Sequence, residues 1–446
     1  MIVCARVAQL RAFETSAAEP DQRVPAQVIR RLVPFIFLCY VVAYIDRVNI
    51  GFAARTMQKD LGMSDATYGF GAGLFFVGYF LFEIPSNLIL ERVGARLWMA
   101  RILFGWGLVS MAMIFVRDAA SFYFLRVVLG LAEAGFFPGM VLYLTYWIPA
   151  RERARTGALF MTAAPVAIVV GAPVSEALLT LEGTFGLHGW QWLFLLEGLP
   201  AVALGLVALG FLTDRPENAE WLAPSDREWL SRAMAREQAE RGRMGHGASW
   251  RGLLSGRVAL LCAVWFCNTL ATYGVFLFLP KILQEASGWS GLRLALITAA
   301  PFVLALAGMV LIGRHSDLRQ ERKWHVAACA LTAALGLLFA ASFPRSVPLL
   351  VAGFALSQLG ARAVQGVFWA IPPLFLGGSA AAAGIAMINA VGNLGGFAGP
   401  SVVGWLRSAG EGYTQGLLFL AGTLVVEALL VASLRLPVAP PLETEA

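Results

Sequence analysis

Twelve stretches of about twenty predominantly apolar residues recur along the chain, and that repetition restricts its fold more than any other feature. They fall at roughly 31–53, 67–90, 97–116, 119–142, 154–177, 190–211, 256–284, 290–313, 324–343, 346–372, 380–405 and 414–434. Each is long enough to cross the hydrocarbon core of a bilayer as a helix. Inside a bilayer every backbone N–H and C=O must be satisfied within the segment, so such runs read as helices rather than isolated strands. With 58% hydrophobic and only 14% charged residues, the 446-residue chain lacks the polar surface that a water-soluble protein of this length requires. These features predict an all-α polytopic membrane protein and exclude a disordered, fibrous or ordinary soluble one.

The basic residues lie between the spans and set orientation. If the N-terminus is cytoplasmic, 24 Lys and Arg fall in inside segments, seven fall outside, and Arg47, Arg126 and Arg362 lie within spans. That bias predicts both termini on the cytoplasmic side of a plasma membrane, the inner membrane of a bacterium. The net charge of +6 is therefore a topology signal and not a nucleic-acid footprint. The five Cys contain no CxxC pair, so neither a disulfide framework nor a thiolate metal site is expected, and no cofactor is implied. Residues 1–30 are polar and lack the pattern of a cleavable signal peptide, so they read as a disordered cytoplasmic tail.

The spans divide into two sixes, 31–211 and 256–434, joined by a charged linker at 212–255 and followed by a short tail at 435–446. The halves echo one another. Glu91-Arg-Val-Gly-Ala-Arg-Leu-Trp98 follows the second span, and Gly313-Arg-His-Ser-Asp-Leu-Arg-Gln-Glu-Arg-Lys-Trp324 follows the eighth. Two matched halves are the arrangement that alternating-access transport uses. In the linker, Ser225-Asp-Arg-Glu228 has the spacing of a capping box and precedes Trp229, Leu230 and Met234, which predicts a short amphipathic helix on the inner face.

Four segments carry a resemblance to a known family. Tyr44-Ile-Asp-Arg-Val-Asn-Ile50, Gly78-Tyr-Phe-Leu-Phe-Glu-Ile-Pro-Ser-Asn87, Arg126-Val-Val-Leu-Gly-Leu-Ala-Glu-Ala-Gly-Phe-Phe-Pro138 and Asn389-Ala-Val-Gly-Asn-Leu-Gly-Gly396 stand in order on the expected helices. Together they resemble the major facilitator superfamily and, within it, the anion:cation symporter family, over about residues 31–434. The resemblance implies two pseudo-symmetric six-helix domains and proton-driven uptake of organic carboxylates. Phe368-Trp-Ala-Ile-Pro-Pro373 is similar to the branch that takes tartrate, phthalate and hydroxyphenylacetate.

Ionisable groups inside a membrane helix are costly and are functional candidates by default. Arg126 and Glu133 are seven residues apart, which places them within about 20° of one helix face and about 10 Å apart along the axis. A cation and an acid aimed at one cavity suit an anion–proton symporter; a static intramembrane salt bridge is the plainer reading. Gly130 between them leaves room for a ligand or a neighbouring backbone. Asp46 and Arg47 are adjacent and point about 100° apart, so if Arg47 faces the cavity, Asp46 faces a neighbouring helix, with Arg126 as its expected partner.

The resemblance implies that Arg47 and Arg126 clamp the substrate and that Asp46 and Glu133 carry protons. It also places Tyr44 and Tyr79 near the substrate. Asn268, Tyr273, Trp369, Asn389 and Asn393 are the expected contacts from the second half, with helix-to-helix hydrogen bonding as their alternative role. Glu83 and Glu197 read as structural or gating residues, and Glu427 also falls within a span. Arg362 departs from the family pattern. It either adds a cation for a dianionic substrate, or snorkels or pairs with an acid elsewhere.

The expected function is proton-coupled import of a small organic anion, tartrate-like or phthalate-like, by a monomer in contact with membrane lipid. The competing readings are an efflux antiporter for lipophilic compounds, or an embedded enzyme or sensor. The fifth span offers only Gly171-Ala-Pro173 where export antiporters carry a glycine-rich motif. His188, His246, His315 and His325 all fall in loops or at helix ends, so no catalytic constellation sits at membrane depth and proton coupling must rest on carboxylates.

Overall fold

The computed structural model describes residues 20–244, 255–374 and 378–435, and among these no residue is in a strand. The first half contains α1 (Pro20–Leu61), α2 (Asp65–Val93), α3 (Ala95–Ala112), α4 (Ala119–Glu133), α5 (Phe136–Trp147), α6 (Ala150–Met161), α7 (Ala163–Leu179) and α8 (Gly189–Phe211). A linker helix, α9 (Pro224–Met244), follows. The second half contains α10 (Gly256–Phe276), α11 (Leu279–Ser287), α12 (Gly291–Arg319), α13 (Lys323–Ser342), α14 (Val347–Phe368), α15 (Gly378–Asn393), α16 (Gly395–Leu406) and α17 (Gly412–Ser433).

Eleven helical stretches among the described residues are long and apolar enough to cross a bilayer. The remaining expected crossing, 380–405, is divided between α15 and α16 at Leu394, and neither piece alone has the length. The glycines at 392, 395 and 396 weaken the helix there. Leu81, Leu88, Phe124, Leu311 and Leu429 are exposed, forming the apolar surface that a lipid-facing exterior requires.

The first helix corrects the expected tail. It begins at Pro20, not after residue 30, because Val24, Val28 and Leu32 recur every fourth residue and are fully buried. Arg23 forms an ion pair with Asp226 of α9, which fastens this extension to the linker helix. On α9, Leu230 is buried, and Trp229 and Met234 pack partly against the protein core. The apolar side of the linker helix thus faces protein.

Several crossings are broken where the sequence withdraws helical hydrogen bonds. The fourth starts with a reciprocal cap, Ser121 N–H to Asp118 Oδ1 at 2.8 Å and Ser121 Oγ facing the Asp118 N–H. The Ser121 N–H holds the exposed Asp118 carboxyl below its usual range. This crossing stops at Glu133 and resumes at Phe136. Gly135 between them has φ +84°, a left-handed conformation that suits glycine. Pro138 cannot donate to the carbonyl four residues earlier. The break leaves Glu133 at a helix end.

The two halves meet along two seams, α2 against α16 and α7 against α12. Within the first half, α4 lies directly on α2. At Gly130 a Cβ would collide with the Phe75 carbonyl and the Tyr79 N–H, so the room left by this glycine is filled by a neighbouring backbone. Gly130→Ala is expected to force the helices apart at a cost of about 1–3 kcal/mol, as overpacking does. A lowered thermal midpoint of the purified protein checks this; an unchanged midpoint means that the contact is slack.

Candidate functional site

A small central cavity of about 60 Å³ lies between the halves. Of the residues expected at the site, Tyr44 and Arg47 of α1, Tyr79 of α2, Tyr273 of α10, Trp369 just after α14, and Asn389 and Asn393 of α15 line it. Tyr40, Thr269 and Gln365 line it too, and sequence reasoning missed them. Gln365 carried a usable signal, because it sits one helical turn beyond Arg362.

Arg47 organises the cavity. Its guanidinium is boxed by three rings, with centroids at 5.4 Å for Tyr44, 5.3 Å for Phe75 and 5.4 Å for Tyr79. It forms an ion pair with Glu133 and donates to the Tyr273 hydroxyl at 3.4 Å. Glu133 is buried behind it, at the end of α4. The first half therefore presents a cation to the cavity, held by an acid that is out of contact with water.

Asp46 points elsewhere, as its 100° offset requires, but its expected partner is corrected. It accepts from Trp106 Nε1 at 2.8 Å and Ser110 Oγ at 3.0 Å, both on α3, and not from Arg126. Arg126 is buried on the face of α4 that meets α2, where its Nη2 donates to the Ala72 carbonyl at 2.9 Å. Its guanidinium lies 5.1 Å from the centroid of the Phe75 ring, which also contacts Arg47 at 5.3 Å. Arg126 does not line the cavity.

Asn268 is corrected in the same way. It turns from the cavity and donates to Glu427 Oε1 at 3.2 Å, joining α10 to α17. Glu197, buried on α8, accepts from Ser175 Oγ at 2.7 Å. Asn389 stays on the cavity wall and donates to Glu83 Oε1 at 2.6 Å, so one amide ties the second half to α2 of the first.

The two ends of the molecule differ. On the side away from the Arg-rich loops the halves are sealed. Asp65 pairs with Lys281 and accepts from Gln58 Nε2 at 3.1 Å, while Glu176 Oε2 accepts from the Gly291 N–H at 3.1 Å. The Tyr68 hydroxyl lies 3.1 Å from the carbonyls of both Ile50 and Leu277. On the basic side a second cavity of about 590 Å³ separates α5 and α6 from α12 and α14. It shares Met161, Gln365 and Trp369 with the central one, so the two cavities adjoin on the basic side.

Among the described residues no group of His, Cys, Asp and Glu is arranged to hold a metal. Cys39, Cys262, Cys267 and Cys329 are buried free thiols; Cys4 and His246 lie outside the described residues.

Comparison with known proteins agrees with this architecture. The sequence model of the Major Facilitator Superfamily matches residues 36–400 and 266–445. A protein of Agrobacterium vitis named "Putative tartrate transporter" is 51% identical over 409 residues, covering 92% of this chain and 94% of that protein. A "Quinolone resistance transporter" of Acinetobacter baumannii is 39% identical over 401 residues, covering 90% and 92%. Among solved structures, a bacterial homolog of the human lysosomal transporter Spinster, inward-facing and occupied, superposes with a TM-score of 0.73. It is 18% identical and covers 90% of this chain and 95% of its own, a likeness of fold.

Proposed function

We propose that this chain, which belongs to the major facilitator superfamily, imports a small organic carboxylate together with protons by alternating access. Family membership makes it a multi-pass membrane transporter and not an enzyme. The observation that carries the finer reading is the Arg47–Glu133 pair on a cavity reached from both halves. An entering carboxylate competes with Glu133 for Arg47. Arg is suited to this exchange, because its planar fork stays charged when desolvated and accepts a carboxylate two-pronged. Once Arg47 turns to the substrate, Glu133 is left buried without its partner, and burial of a lone charge favours taking up a proton. Loss of the substrate returns Arg47 to Glu133 and drives the proton off.

The second carboxylate in this reading is Asp46, held by Trp106 and Ser110 and so independent of Arg47. Arg126 is assigned a supporting role, a buried cation that braces α4 against α2 through the Ala72 carbonyl and the Phe75 ring. Tyr79, Tyr273, Trp369, Asn389 and Asn393 shape the chamber. The chain is placed in the inner membrane with its basic side cytoplasmic, which makes the sealed side the outer one and the arrangement inward-facing.

The relative named for quinolone resistance supplies the second reading, export. Proteoliposomes with an imposed pH gradient separate the two. Acidic-outside conditions are expected to accumulate a carboxylate such as tartrate at least tenfold over gradient-free vesicles. Accumulation only when the gradient is reversed would establish antiport, and no movement of any carboxylate in either direction would refute the import reading.

A further inference from the structure

Arg362 is an arginine at membrane depth whose charge no carboxylate among the described residues meets. It lies on α14 of the second half and is 2% exposed, so it does not snorkel to water. Among the described residues no Asp or Glu lies within ion-pair distance of it. Its Nη1 donates to Gln365 Oε1 at 3.3 Å, and its Nε is buried without a partner. Phe302 offers only a distant ring face, 5.9 Å from the guanidinium. Neutral partners leave a desolvated guanidinium under-compensated, which is costly unless an anion arrives.

Arg362 stands behind the wall of the central cavity, and its partner Gln365 lines that cavity together with Tyr44. Tyr44 is also one wall of the box around Arg47. Two guanidiniums, one from each half, thus adjoin one cavity, Arg47 on its wall and Arg362 through Gln365. Glu133 meets the charge of Arg47, and among the described residues no carboxylate meets that of Arg362. Glu83 of α2 is engaged by the Asn389 amide.

Resting on the reading of this chain as a carboxylate importer, we infer that Arg362 anchors a second carboxylate and that the substrate is a small dianion held across the halves between Arg47 and Arg362. Arg47 takes one end of the molecule after displacing Glu133. Arg362 takes the other by exchanging its bond to Gln365 for a charged acceptor, a stronger hydrogen bond than the neutral one. Because the anchors belong to different halves, a dianion long enough to touch both draws the halves together, whereas a monocarboxylate engages one half only. The residue that sets charge preference is then Arg362, and Arg47 serves either class.

The test uses the full-length protein in proteoliposomes with two acids of equal chain length, tartrate and threonate, in which one carboxylate is replaced by a hydroxymethyl group. The parent is expected to favour tartrate by about 10- to 100-fold in uptake at limiting concentration, the range of a lost charged hydrogen bond. Arg362→Gln should abolish that preference by losing tartrate uptake while keeping threonate uptake, which also shows that the variant is folded. Arg362→Lys should fall between the two. A Gln variant with the parent's tartrate-to-threonate ratio would overturn the second anchor and leave carboxylate import standing. If neither variant can be purified folded, the parent decides alone, since equal handling of the two acids overturns the inference. A parent that moves neither acid refutes the import reading itself.

Discussion

Arg47→Ala is expected to lower carboxylate uptake about 100-fold, and Arg47→Lys is expected to lie closer to Ala than to the parent. The guanidinium does three things that an ammonium cannot do together. It pairs with Glu133, donates to the Tyr273 hydroxyl, and lies among the faces of Tyr44, Phe75 and Tyr79. A lysine keeps the sign of the charge but offers a compact, strongly hydrated head in place of a planar fork, so it loses two-pronged recognition. One to two charge-assisted hydrogen bonds at about 1.5–3 kcal/mol each account for a loss of this size. Initial rates in proteoliposomes, read beside the thermal midpoint of each variant, separate loss of recognition from loss of folding. Near-parental uptake by the Lys variant would mean that charge alone suffices and that no clamp exists at this position.

Arg126 carries no comparable expectation, and the reason bears on how far the sequence could be read. Seven helical steps do bring Arg126 and Glu133 to one side of α4, but periodicity says nothing about what stands against that side. There α2 approaches so closely at Gly130 that the Ala72 carbonyl takes the guanidinium, which lies against the Phe75 ring. Glu133 escapes this burial among neutral groups because the helix ends with it, and Gly135 turns the chain before α5 begins. The 100° offset between Asp46 and Arg47 was readable, since it depends only on helix geometry; the identity of Trp106 and Ser110 as partners was not, because they lie some sixty residues away on another helix. Asn268 and Glu427 are separated by 159 residues and meet for the same kind of reason.

Apolar run length located the crossings well, because the bilayer fixes the number of residues each needs. It located ends and breaks poorly. The buried stripe of Val24, Val28 and Leu32 was masked by neighbouring Arg and Gln, and the interruption at Leu394 leaves the total hydrophobicity of 380–405 unchanged.

Glu133→Gln is expected to separate exchange from accumulation. Glutamine has the shape and neutrality of the protonated acid but cannot release a proton. With Arg47 in place the variant should bind its substrate, and indeed more readily, since no carboxylate competes for the guanidinium. It should also exchange labelled for unlabelled substrate across the membrane at a rate within a few-fold of the parent, because exchange cycles only the loaded carrier. Net uptake is different. Carrying one negative charge into a cell costs about 2.3 kcal/mol per 100 mV of potential, and accompanying protons remove that cost. The carrier must then return empty with Glu133 ionised and re-paired to Arg47, a state that the Gln variant cannot reach. Accumulation under an imposed pH gradient should accordingly fall at least tenfold while exchange persists. Both assays belong on one proteoliposome preparation, so that misfolding registers as the loss of both. A Gln variant that concentrates substrate as well as the parent does would remove Glu133 from the coupling, leaving Asp46, in its cage of Trp106 and Ser110, as the carboxylate that has to carry the proton.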